Sequence, residues 1–156
     1  MASAAVNEAR RAQDFSLSWL LEALVQARAL TAAQASEIGV KEPQARARVL
    51  KSAGGERYQV SPIEIVAAFQ IPTGARAGEV LDQDRVSELA AKAAGIGYRK
   101  IDPLKLDMNL AAKVVSKPYA QKHCILALDG GTPGQPLVVA VANPFDRELF
   151  ENLQRL

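Results

Sequence analysis

His123 and Cys124 are the single histidine and the single cysteine of the chain, and they are neighbours. A nucleophile and its base is the first chemistry such a couple suggests. Adjacency works against it. Both residues lie inside an apolar run, and in a strand consecutive side chains point to opposite faces, so the pair reads as structural. Four Cys or His ligands for a structural zinc ion cannot be assembled from two. One cysteine also leaves no disulfide within the chain, which fits a reducing compartment. The paired acids Asp82/Asp84 and Asp102/Asp107 could in principle share general acid–base work. Asp82, however, stands where a helix cap belongs, and Asp102 precedes Pro103 as a turn residue does. No GxxxxGK[ST] loop is present to cradle phosphates, and Gly95-Ile96-Gly97 lacks the third glycine of a dinucleotide fingerprint. HExxH, GxSxG and EF-hand spacings are missing too. No catalytic, cofactor-binding or metal-ligating residue is assigned.

The 156 residues carry 19 Lys and Arg against 17 Asp and Glu, a net charge of +2. Such a length allows one domain or two small ones. The basic excess is N-terminal: residues 1–60 hold eight basic and six acidic side chains, whereas 61–156 hold eleven of each. Lys41, Arg46, Arg48, Lys51 and Arg57 make up the cluster, which reads as a solvated helix face. A dedicated nucleic-acid binder carries a larger excess, so no nucleic-acid partner is expected; a helix-turn-helix in 15–57 would have to reveal itself by steep salt dependence. Hydrophobic residues at 49% exclude disorder for most of the chain. With aromatics at only 5%, the core must be built from Ala, Leu, Ile and Val. No run approaches the ~20 apolar residues that cross a bilayer. The N-terminal stretch, with Glu8, Arg10, Arg11 and Asp14, is no signal peptide, and a cytoplasmic location follows as the expectation.

The elements that would position these residues can be read in order. Residues 1–14 show no apolar period and are expected to fray. Leu17, Leu20, Leu21 and Leu24 then recur at i, i+3, i+4 and i+7, one stripe of a helix. Thr31 and Gln34 form a capping-box signature for a second helix, which Pro43 should interrupt, leaving Gln44–Ser52 as a third. Ser61-Pro62-Ile63-Glu64 combines a cap, a proline at the first helical position and the closing acid. Gln70–Gly78 reads as a loop, and the domain boundary is placed after it: a helical subdomain over 1–81, an α/β subdomain over 82–156. In the second part Asp82 opens a helix closed by Gly95. Tyr98–Ile101 is a strand candidate, and Asn109 and Ser116 are caps of two short helices. Cys124–Leu128 and Leu137–Ala142 flank Asp129-Gly-Gly-Thr-Pro-Gly as the strands of a hairpin. Asn143-Pro144 should start a last helix over Phe145–Leu156, which runs out without a stop signal, as in a fragment of something longer. The fold class is α+β, with helices first and a short, mainly antiparallel sheet after them.

The segment from Leu81 to Asp107, LDQDRVSELAAKAAGIGYRKIDPLKLD, resembles the N-terminal domain of type II secretion and type IV pilus assembly ATPases, the general secretion pathway protein E type. That family shows a helix of the form I..LA...G, a short strand, and then DP..ID. Ser116-Lys-Pro-Tyr-Ala120 is similar to its next helix and Ile125–Leu128 to its following strand. Leu137–Asp146, LVVAVANPFD, resembles its strand and helix start. Ser61–Val66 is similar to an element preceding this domain in secretion-type members. The resemblance implies a docking and regulatory unit that couples a hexameric motor to the cytoplasmic domain of an inner-membrane platform protein. It also implies an ATPase domain, with ATP and Mg²⁺, elsewhere in the parent protein, and a location peripheral to the inner membrane.

A branch of the family binds cyclic di-GMP through tandem helical motifs that begin RLG, continue LV..G.I and end in Gln. Leu24–Leu30 resembles the middle of the first motif. Trp19-Leu20-Leu21 stands in place of RLG, Arg28 in place of the glycine, and Glu42 in place of the glutamine. A cyclic di-GMP sensor is therefore the alternative reading. For the docking reading the candidate partner-binding residues are Trp19, Val25 and Arg28, which lie off the leucine stripe; exposed aromatics are enriched among interface anchors. The competing account buries Trp19 against Phe15 and the second helix.

Overall fold

A computed structural model describes residues 14–54, 59–73, 78–130 and 134–155. The expectation for residues 1–13, the middle of the hairpin loop and Arg57 lies outside the described residues. Two compact units divide the chain, and the division falls between Arg99 and Lys100.

In the first unit, α1 (Leu17–Gln26) is capped by Ser16, whose hydroxyl accepts from the Trp19 N–H at 3.2 Å. All four leucines of the stripe are buried. Arg28 ends the helix in the left-handed region, φ 57°, and the Ala29 N–H returns to the Leu24 carbonyl at 2.9 Å. α2 (Ala32–Ser52) begins with the complete Thr31–Gln34 capping box. α3 (Pro62–Ala67) begins with the complete Ser61–Glu64 box. A single antiparallel bridge, Pro72 to Val80, leads to α4 (Gln83–Ala93), where Asp82 accepts from the Arg85 N–H at 2.8 Å. Leu20, Leu24, Ile38, Ile65, Val66, Leu81 and Val86 form the centre of one core and are fully buried. Burying each such side chain contributes roughly 1.5–3 kcal/mol.

The second unit starts with a 3₁₀ turn (Pro103–Lys105) capped by Asp102, followed by α5 (Met108–Val114) and α6 (Lys117–His123). β1 (Ile125–Asp129) and β2 (Val138–Val141) pair antiparallel, with Ile125 opposite Val141 and Ala127 opposite Val139. A bulge lies between Ala127 and Asp129. Beyond it, Gly130 turns with φ 84°, and a Cβ there would stand 2.0 Å from the Pro136 carbonyl oxygen. Only glycine fits. α7 (Arg147–Leu153) closes the described chain. The architecture is α+β, helices first and one short antiparallel sheet after them.

Five expectations are corrected. Pro43 does not divide α2, which runs 21 residues through it. A helix-interior proline deletes the bond to the carbonyl four residues back, here Gly39, and both residues are exposed. Ile38 and Ala45, on either side, are buried on the core face, and that packing carries the helix across the gap. Tyr98–Ile101 joins no sheet among the described residues. Asp107, not Asn109, caps α5, accepting from the Asn109 and Leu110 N–H groups at 2.9 and 3.1 Å. Asp146, not Asn143, caps α7, accepting from the Leu149 N–H at 3.0 Å; Asn143 instead closes a turn onto the Phe145 N–H. Finally, the unit boundary falls after α4, not before it. Val86, Leu89 and Ala90 give α4 an apolar face, and it packs into the first core against α1 and α3.

Candidate functional site

The three candidate docking residues lie on or beside α1. Trp19 is half-buried, packs on the edge of the core, and tilts against Phe15 with ring centroids 5.8 Å apart. Val25 is half-buried against the same core. Six positions apart on a helix, the two side chains project about 120° from each other, so they flank the leucine stripe on opposite sides. Arg28 is exposed at the turn after α1. The helix does not gather them into one patch.

Four residues of the basic cluster, Lys41, Arg46, Arg48 and Lys51, lie on α2, and two of them are paired within the helix. Lys41 pairs with Glu37 at 2.6 Å and Arg46 with Glu42 at 2.7 Å. Among the described residues no carboxylate stands within 4 Å of Arg48, nor of Lys51. Arg48 borders an open groove of about 490 Å³, shared with Val49, Ser52, Glu64, Ala67 and Gln83. The carboxylates there are already occupied in part, since Glu64 accepts from the Ser61 N–H at 2.9 Å and Asp82 caps α4.

His123 and Cys124 are not in a strand. His123 ends α6, and Cys124 follows in the left-handed region, φ 48°, with its thiol exposed and 3.6 Å from the Gln121 carbonyl. Their side chains are not brought together. The His123 side chain is only 6% exposed, with Nδ1 3.1 Å from Asp146 Oδ2. Its ring lies 4.4 Å from that of Tyr119, and Nε2 is buried without a hydrogen-bond partner among the described residues. Burial pushes the Asp146 carboxyl up, but the Leu149 N–H, the hydrogen bond and electrostatic pull of His123, and Lys122 outweigh it. The group ends below its ordinary value of 3.8. Sequence reading did not single out Asp146; its signal was a capping residue three positions before Leu149, with Glu148 in the first turn. Among the described residues no three His, Cys, Asp or Glu side chains gather as a metal site would require.

Fold and sites together define a two-unit α+β chain whose candidate sites are surfaces and one polar helix–helix junction. No known family profile matches the chain, and no solved structure matches it. Among curated proteins, the type IV pilus assembly ATPase TfpB of Acinetobacter baylyi is 29% identical over 99 residues, 64% of this chain. That similarity supports a domain related to secretion and pilus assembly ATPases. It spans 17% of that relative's length. No helix among the described residues is long and apolar enough to cross a membrane.

Proposed function

We propose that this chain is the docking and regulatory part of a secretion or pilus assembly ATPase, held at the inner membrane by the cytoplasmic domain of a platform protein. The similarity to the pilus assembly ATPase carries this reading. In it, hydrolysis of ATP with Mg²⁺ belongs to a motor domain of the parent protein, which works as a hexamer in the cytoplasm. The family resemblance of the Ile101–Asp107 segment leans toward type II secretion, whereas the relative serves pilus assembly.

Of the three candidate residues, Arg28 is the one whose side chain is exposed, at the turn after α1, and docking there would use its guanidinium. A calorimetric titration of the chain with the purified cytoplasmic domain of the cognate platform protein tests it. The expected result is a dissociation constant near 1 μM, about −8 kcal/mol. Arg28→Glu should weaken it about tenfold, the loss of ~1.4 kcal/mol that a rim charge can carry, with unchanged melting. Absence of binding at ~100 μM, some two decades above that constant, overturns the docking reading. The same preparation should show no ATP turnover above background, because no P-loop is present to hold the phosphates; activity that tracks the chain through purification would count against it.

A further inference from the structure

We propose that the outer edge of β2 is a self-pairing surface that joins two copies of this chain, strand against strand. The Ala142 N–H donates to the Cys124 carbonyl at 3.2 Å, which makes those two residues a hydrogen-bonded pair at the end of the antiparallel ladder. Bonded and non-bonded pairs alternate along such a ladder, so Leu126 with Ala140 is the next bonded pair. Ile125 with Val141 and Ala127 with Val139 are the non-bonded ones. The backbone N–H and C=O groups of Val139 and Val141 therefore point away from β1. Among the described residues no third strand lies beyond β2, and nothing there pairs with those outward groups. β1, by contrast, is packed by α5 and α6.

Composition, register and side-chain size select a second copy as the occupant. Residues 137–143, bounded by Pro136 and Pro144, contain no charge, proline or glycine. Soluble proteins ordinarily blunt a strand edge with charges, prolines or bulges, and a short uncharged run of β-formers without proline is the sequence pattern of self-pairing. Val138, on this strand, is 43% exposed. A two-fold axis through Ala140 sets Val139 opposite Val141 of the second copy, and Val141 opposite its Val139. Each of these pairs exchanges two hydrogen bonds, so the outward groups of both valines are all satisfied and none is left over. Ala140 then meets its own copy at the axis in a non-bonded pair, where Cα atoms approach to about 4.5 Å and a small side chain fits. Such a contact uses the same patch on both copies and closes at two. It involves no platform protein, so failure of the docking reading leaves it untouched.

Sedimentation equilibrium of the full chain reads the association. The edge is short, so the expected dissociation constant is about 100 μM, at the weak end that small interfaces occupy. Val139→Pro removes one outward N–H and no bond of the β1 ladder, as a proline on an edge strand can. It should weaken the dimer about tenfold with the circular dichroism spectrum unchanged. Cross-linking tests the register and serves alone if Val139→Pro does not fold. In a Cys124→Ser background, Ala140→Cys sets two thiols across the axis at a Cα separation of about 4.5 Å, within disulfide reach. Mild diamide oxidation should then give a covalent dimer. Val138→Cys is the control: position 138 is the more exposed, yet its two copies would stand roughly 14 Å apart, four residues along the strands, and should cross-link at least about tenfold more slowly. A chain that stays monomeric up to about 1 mM overturns the proposal. So does a dimer that Val139→Pro leaves intact, equal cross-linking of the two cysteine variants, or association that runs beyond two copies.

Discussion

Arg28 shows how one backbone angle links the sequence pattern to the fold. An L-residue in the left-handed region costs about 1–2 kcal/mol, and the helix-ending turn after α1 places Arg28 there. The related motif has glycine at this position, the residue that occupies such a turn without a Cβ clash. Arg28→Gly should therefore stabilise the chain by about 0.5–1 kcal/mol, after subtracting the freedom that glycine adds to the unfolded state. A urea melt reads this directly. A decrease in stability would mean that the arginine side chain contributes packing that outweighs its strain. Trp19 is the complementary case. Its position off the leucine stripe suggested a free face, yet the ring is half-buried on the core and against Phe15. Trp19→Ala should cost about 2 kcal/mol, less than the 3–5 kcal/mol of a fully buried aromatic. A cost of that full size would make the ring an ordinary core residue, and an unchanged melting temperature would leave its whole face open to a partner.

Where two local signals agreed within one turn, as in the two capping boxes, the element was readable. The boxes at Thr31 and Ser61 each joined a cap to a Gln or Glu three residues on, and both formed. Ser61→Ala should cost about 1 kcal/mol. In a cycle with Glu64→Ala the combined loss should fall short of the sum, because the two side chains close one box; additive losses would show that they act separately. The leucine stripe and the hairpin were equally legible, since apolar period and turn residues pointed the same way. At Pro43 the local rule lost to packing. Ile38 and Ala45 hold the helix from both sides, and the exposed face lets water take the orphaned Gly39 carbonyl. The helix still bears the strain. Pro43→Ala should raise stability by about 1–2 kcal/mol, the ~3 kcal/mol helix penalty less the entropy that proline removes from the unfolded chain; destabilisation in the same urea assay would mean that the proline fits its turn unstrained. The Asn109 and Asn143 caps failed because another capping side chain lay two or three residues away, and spacing alone does not choose between them. The His123–Asp146 junction spans 23 positions, which no local pattern encodes.

The two units differ in how much core holds them. Fifteen buried apolar side chains lie in the unit 14–99, whereas Ile125, Ala127, Pro144 and Leu149 are those of the unit 100–155 among the described residues. A segment of that size with so thin a core is marginal, so polar links carry more of its stability. Asp146 is the one to probe, because it both caps α7 and pairs with His123. Its folded carboxyl titrates below its ordinary value of 3.8, where the unfolded chain would titrate. The folded state therefore favours the ionised form, and the resulting stability is complete above the unfolded value. It is lost as pH falls through the folded one, since protonation then binds both states alike. Asp146→Asn keeps a capping oxygen and removes the titration. Urea unfolding at pH 6 and pH 3, followed by circular dichroism, should show a larger acid loss for the wild type than for Asp146→Asn. Trp19, the single tryptophan, lies in the other unit, and its fluorescence transition should not distinguish the two proteins. Equal acid losses by circular dichroism would remove Asp146 from the acid response, and a difference seen by Trp19 would show that the units unfold as one.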